Sequence, residues 1–165
     1  MSAPRTARDR VREEMTSEIL AAARQHMARE GAASLSLRSI ARDLEIAPSA
    51  LYRYVGGRDA LITTLILAAY ESLATEAERA AEAAAKRGGS DAERFLAVPH
   101  AMRRWALARP HEWGLIFGTP VPGYHAPEDT TRIASEIMAV LLDACADERF
   151  AATRVYSAIV SAGAS

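Results

Sequence analysis

Ser36-Leu-Arg-Ser-Ile-Ala-Arg-Asp-Leu-Glu-Ile-Ala-Pro-Ser-Ala-Leu-Tyr-Arg-Tyr-Val55 reads as two short helices joined by a tight turn. Ser36 is a natural N-cap, because its hydroxyl accepts from the free amides of a first helical turn. Leu37, Ile40, Ala41 and Leu44 then recur at helical spacing and form one apolar stripe. Glu45-Ile46-Ala47 interrupts that stripe. Pro48 stands where a first helical residue tolerates proline, since its missing amide hydrogen would have had no partner. In the second helix, residues 48–54, Leu51 packs inward together with the flanking Ile46 and Val55. Ser49, Tyr52, Arg53 and Tyr54 are left facing outward. Gly56-Gly57 ends the pair, and Arg58-Asp59 opens the next helix.

The outward residues match the chemistry of a duplex. An arginine forks onto guanine O6 and N7 or grips a phosphate, and Ser and Tyr hydroxyls donate to phosphate oxygens. In an arbitrary helix pair, Tyr52 and Tyr54 would be ordinary half-buried surface aromatics. Here the cap, the proline, the glycine pair and the exposed Tyr-Arg-Tyr all agree with a helix made to enter the major groove.

Charge runs in the same direction. The 165-residue chain has a net charge of −1, so no global basic field holds nucleic acid. Residues 1–60, however, carry ten Arg against eight Asp and Glu, a net of +2, whereas the remainder is net −3. Arg5, Arg8, Arg10 and Arg12 read as a loose basic arm, either a phosphate or minor-groove contact or a frayed solubilising end. The single cysteine, Cys145, excludes an intrachain disulfide and offers no zinc pattern; on an apolar helical stretch it reads as a buried thiol. No apolar run is expected to span a membrane, and the N-terminus lacks a signal-peptide core, so a cytoplasmic protein is expected.

Half of the residues are hydrophobic, enough for one sizeable core with a small appended head. The first helix is expected over residues 10–30, with Met15, Ile19, Ala23 and Met27 on one side and Gly31 as C-cap. A long helix, 59–86, carries Leu61, Ile62, Leu65, Ile66, Ala69 and Leu73 on one face before fading into an Ala/Glu-rich run. Residues 86–90 form a loop. A helix over 91–109 follows, with Pro99 implying a kink, and then a short helix through Phe117. Three prolines and two glycines make residues 118–127 an extended loop. Helices over 126–147 and 149–160 complete an all-α chain and are the dimer-interface candidates.

The segment from Trp105 to Pro127 is aromatic for an alanine-rich body. Met102, Trp105, Trp113, Phe117, Tyr124 and His125 are candidates to line an apolar pocket with a few polar anchors, the competing reading being a packed aromatic core that holds the loop. His100, His111 and His125 show no metal-ligand spacing, and no nucleophile elbow is present. Neither catalysis nor a metal or other cofactor is expected.

Residues 16–66 resemble the TetR family of repressors, through Leu37-Arg38-Ser39-Ile40-Ala41, Ala47-Pro48-Ser49-Ala50-Leu51-Tyr52-Arg53-Tyr54-Val55 and Arg58-Asp59-Ala60-Leu61. The aromatic block is similar to the C-terminal domain called WHG in one TetR subgroup. The resemblance implies a three-helix, helix-turn-helix DNA-binding head (residues 1–57) ahead of a helical body (58–165) that binds a small ligand and forms a homodimer. It implies Ser36 and Arg38 as DNA-facing residues at the start of the second helix. Pro48, Ser49, Ala50, Tyr52, Arg53 and Tyr54 become the recognition surface, and Arg58 stands where the family has a phosphate-binding Lys. The implied partners are a palindromic duplex and an apolar effector. The alternative is a helical adaptor or ligand-binding module without specific DNA binding. Two departures stand out. Glu45 occupies a turn position usually held by Gly, and the chain stops at Ser165, before the further helices that members usually carry.

Overall fold

The computed structural model describes residues 6–88, 91–118, 120–127 and 135. Six α-helices follow in order: α1 Ala7–Glu30, α2 Leu37–Asp43, α3 Pro48–Val55, α4 Arg58–Lys86, α5 Asp91–Ala108 and α6 Pro110–Phe117, with a 3₁₀ turn at Ala32–Ser34. The all-α expectation holds, with no strand among the described residues. Cys145 and the helices expected beyond Pro127 lie outside the described residues, apart from Ser135.

The chain divides into two compact units: Met1–Ala69 with Arg109–Thr131, and Tyr70–Ala108 with Arg132–Ser165. In the first unit, α1, α2, α3 and the start of α4 bury Ile19, Ala23, Met27, Leu37, Ile40, Leu51, Leu61, Ile62 and Leu65 in one core. These are the residues that the helical periodicity selects. The apolar edge of that core also receives Leu115, Val121 and Tyr124, so α6 and the following loop pack on the head. Arg24 of α1 reaches Glu112 of α6 at 2.7 Å, which ties the two helices together.

α1 begins three residues earlier than the hydrophobic pattern places it. The Thr6 hydroxyl accepts from the Asp9 amide at 3.2 Å, and the Asp9 carboxylate accepts from the Thr6 amide at 3.0 Å. This reciprocal capping box stabilises the first turn. Arg8, Arg10 and Arg12 are therefore helical side chains rather than parts of a loose arm. The Thr6 hydroxyl also donates to the Asp9 carboxylate at 2.6 Å, and this bond, followed by that from the Thr6 amide, holds the Asp9 carboxyl below the usual carboxylate range.

The turn between α2 and α3 is a Schellman closure. The Glu45 amide donates to the Arg42 carbonyl at 3.1 Å, and the Ile46 amide donates to the Ala41 carbonyl at 2.9 Å. Glu45 itself sits at φ +55°, the one non-glycine residue with positive φ among those described. The geometry of the turn survives, but a side chain occupies a conformation that costs about 1 kcal/mol or more for an L-residue. Glu45→Gly is accordingly expected to raise the unfolding free energy by up to about 1 kcal/mol, partly offset by the freer unfolded chain. Urea unfolding measures this directly. A midpoint that falls would mean the carboxylate makes up for its own strain.

The second unit forms along the later half of α4. Leu73, Ala77 and Ala84 of α4 are buried, as are Val98, Ala101 and Trp105 of α5. The indole Nε1–H of Trp105 donates to the Ser72 hydroxyl of α4 at 3.0 Å. Arg104 stands 3.8 Å from Glu76. α5 runs continuously through Pro99.

α4 differs from expectation in one respect. By length and composition alone it is apolar enough to cross a membrane. Its apolar character is accounted for by burial: Leu61, Ile62, Leu65, Ala69 and Leu73 are all core residues, as befits an amphipathic helix that serves two packed units.

Candidate nucleic-acid interface

α3 is short and is held by what lies on either side of it. The Ala50 and Leu51 amides both return to the Ala47 carbonyl, at 2.9 and 3.2 Å, and Pro48 has no amide hydrogen to satisfy. The helix thus starts without a side-chain cap. It ends at Gly56, whose φ of +73° lets the chain leave sharply, with its amide donating to the Tyr52 carbonyl at 2.9 Å. Leu51 is fully buried and anchors the helix to α1 and α2.

That anchor decides what faces out. Pro48, Ser49 and Arg53 are exposed, and Tyr52 is 52% exposed, an unusual position for so large an apolar ring. Arg53 has no carboxylate partner among the described residues. Ala50 is half-buried. Tyr54 differs from expectation: it is half-buried and packs against the head core, leaving only part of its ring outward. Tyr52 and Arg53 are thus exposed, and Tyr54 is partly turned into the core.

On α2, Arg38 is exposed one position into the helix. Ser36 is half-buried and accepts from the Ser39 amide at a long 3.5 Å. Arg58, at the start of α4, is engaged elsewhere. Its Nε donates to the Leu35 carbonyl at 3.1 Å and its Nη2 to the Ala33 carbonyl at 3.2 Å. Those bonds brace the segment that leads into α2, and a phosphate would compete with them for the guanidinium.

His26 carries no signal in the periodicity, yet it is the one buried polar side chain of the described core. Its Nε2 lies 3.1 Å from the Ser34 carbonyl, so that nitrogen carries the proton and donates, pinning the 3₁₀ turn to α1. No pattern in the linear chain marks this role, because the contact bridges residues on either side of a turn.

The six pocket candidates fall into two groups. Met102 and Trp105 belong to the second unit; Trp113, Phe117, Tyr124 and His125 belong to the first. Trp105 is buried and committed to Ser72. Met102 is half-buried and His125 exposed. Trp113 and Phe117 pack with ring centroids 4.5 Å apart and planes tilted by 49°, and each keeps more than a third of its surface exposed. Thr63 donates to the Asp59 carbonyl at 2.9 Å, so its hydroxyl oxygen accepts from Tyr124 at 2.8 Å. Tyr124 thereby fastens the proline-stiffened loop to α4.

Comparison with known proteins identifies the family. Residues 19–65 match the family model described as bacterial regulatory proteins, tetR family, and residues 95–164 match that of a tetracyclin repressor-like C-terminal domain. HTH-type transcriptional regulators of Mycobacterium tuberculosis (Rv1816) and Mycobacterium bovis (Mb1846) are each 42% identical over 136 residues, which is 82% of this chain. The chain spans 57% of the length of these curated relatives. A crystal structure described as that of a regulatory protein, SCO4313, is similar with a TM-score of 0.70 and 46% identity, covering 87% of this chain and 66% of that one. A Rhodococcus sp. RHA1 protein of unknown function shares the fold alone, with a TM-score of 0.65 at 24% identity, over 82% of this chain and 68% of its own.

Proposed function

Starting from the chain's membership of the TetR family of transcriptional regulators, we propose that it is a ligand-responsive repressor that binds a palindromic duplex as a homodimer. The observation that carries this reading is the outward presentation of Tyr52 and Arg53 on a helix locked from beneath by fully buried Leu51. Residues 1–57 read DNA and residues 58–165 sense and dimerise. Ser49, Ala50, Tyr52 and Arg53 lie along the groove, Pro48 sets the entry of the helix, and Tyr54, Ser36 and Arg38 meet the flanking backbone. Arg58 acts chiefly as a brace. Two such helices, about 34 Å apart in the dimer, address successive major grooves. An apolar effector taken up in the helical body favours a geometry in which that spacing is wrong. The coupling needed is modest, about 1–3 kcal/mol. The protein acts in the cytoplasm, on chromosomal DNA, and performs no catalysis.

Selection of bound sequences from a random duplex pool, followed by sedimentation of the protein alone and on the selected site, tests this reading. The expected result is a two-fold symmetric site, a dimer at micromolar concentration, and affinity that falls steeply with salt. A strict monomer overturns the two-groove arrangement. Salt-insensitive binding, or none at all, favours a helical adaptor instead.

A further inference from the structure

The first turns of α1 and the end of α3 flank a solvent-open cleft of about 750 Å³. Its walls carry Arg8 and Arg12 from α1, four residues apart and so on one helical face, and Arg53 and Tyr54 from α3. All three guanidinium groups are exposed, and none has a carboxylate partner among the described residues. Asp9, the carboxylate in the lining, is turned to the Thr6 hydroxyl and amide by the capping box. Three other arginines of the same unit are engaged: Arg24 with Glu112, Arg29 with Asp43 at 3.1 Å, and Arg58 with two backbone carbonyls.

We infer that this cleft is a phosphate-binding channel for the duplex backbone beside the groove that α3 enters, with Arg8 and Arg12 as its sequence-independent contacts. The inference rests on the DNA-binding reading above. Guanidinium groups match phosphate oxygens in pairs, and a strand passing along the cleft meets two such groups on one wall and Arg53 on the other. The cleft is open and charged, which suits a polyanion strand and not an apolar effector. The capping box gives the site its rigidity: by starting the helix at Ala7 it sets Arg8 and Arg12 at fixed spacing instead of leaving them on a flexible end. Arg53 then serves both the groove floor and the channel, which couples the register of the recognition helix to the backbone it straddles.

The test uses the full chain with a mixed-sequence duplex of about 30 base pairs, because backbone contacts do not depend on sequence. Affinity is measured between about 50 and 200 mM salt for the unaltered chain, R8Q/R12Q and R8K/R12K. Each phosphate contact contributes about 0.9 to the salt slope, so R8Q/R12Q is expected to lower it by about 1.8 per head. The affinity ratio across that salt range then shrinks by roughly tenfold. R8K/R12K, which keeps the charge, retains the slope. An unchanged slope in R8Q/R12Q, or equal losses in the Gln and Lys variants, overturns the channel while leaving the regulator reading intact. Absence of salt-dependent binding by the unaltered chain overturns both.

Discussion

Replacing Trp105 with alanine is expected to lower the stability of the protein by about 3–5 kcal/mol. The side chain is 2% exposed and is the largest buried side chain described. The residues buried with it in the same unit, Leu73, Ala77, Val98 and Ala101 among them, are mostly too small to expand into the space it would leave. Its loss also leaves the Ser72 hydroxyl without the indole N–H that now meets it. Trp105→Phe keeps an aromatic ring but removes the donor and part of the buried volume, so it is expected to fall between the other two. The cost expected from the hydrogen bond alone is about 1 kcal/mol. Chemical unfolding of the three proteins measures both steps. The same series decides whether Trp105 lines an effector site. A core residue destabilises the protein in proportion to the volume removed. If the Ala variant melts like the unaltered chain yet loses its response to an effector, the side chain belongs to a ligand pocket and the packing account fails.

Arg53→Ala is expected to weaken binding to a selected duplex by about 5- to 150-fold per half-site, or about 1–3 kcal/mol, and to relax the base preference at the contacted position. The size of the effect follows from the position of Arg53. It is exposed, no carboxylate among the described residues holds it, and the helix that bears it is fixed through Leu51. Little reorganisation therefore precedes contact. Arg53→Lys keeps the positive charge but lacks the planar fork, so it should recover salt-dependent affinity more fully than base discrimination. Competition binding against single-base variants of the selected site gives the answer. Equal affinity of the Ala variant and the unaltered chain for every sequence would remove Arg53 from the recognition surface.

Arg53 and the Arg8/Arg12 pair are expected to fail differently. Loss of the α1 arginines weakens all sequences alike and flattens the salt dependence, whereas loss of Arg53 changes which sequences are preferred. Arg58 provides a contrast within the same unit. The resemblance casts it as a phosphate contact; in the folded chain two of its N–H groups donate to the Leu35 and Ala33 carbonyls, and its Nη1 stands 3.8 Å from the Asp59 carboxylate. An arginine's availability to DNA depends on what else it meets, and that is a property of the folded chain.

Much of the head was legible before folding because its signals are local and mutually consistent. The 3.6-residue spacing selects Ile19, Ala23 and Met27, then Leu37, Ile40 and Ala41, then Leu61, Ile62 and Leu65, and all of these are core residues. Pro48 and Gly56 bound the recognition helix because proline is preset for a first helical turn and glycine takes the left-handed conformation that ends it. The strain at Glu45 was signalled by the resemblance, which puts Gly at that turn position, and the left-handed φ of +55° supplies its cause. The start of α1 was missed for lack of a hydrophobic cue, although Thr6-x-x-Asp9 carries the capping pattern in its polar residues.

What the amino-acid order determined by itself was the helices, their bounded turns, the core-facing stripes and the outward Tyr52-Arg53 pair, because each depends on residues within a few positions of one another. Only the tertiary structure decided that Tyr54 is half-turned into the core, that His26 is buried against Ser34, that Arg58 is spent on carbonyls, and that Arg8 and Arg12 face Arg53 across one cleft. These are encounters between residues 8 to more than 40 positions apart, and no periodicity along a helix records which of its exposed groups will find a partner.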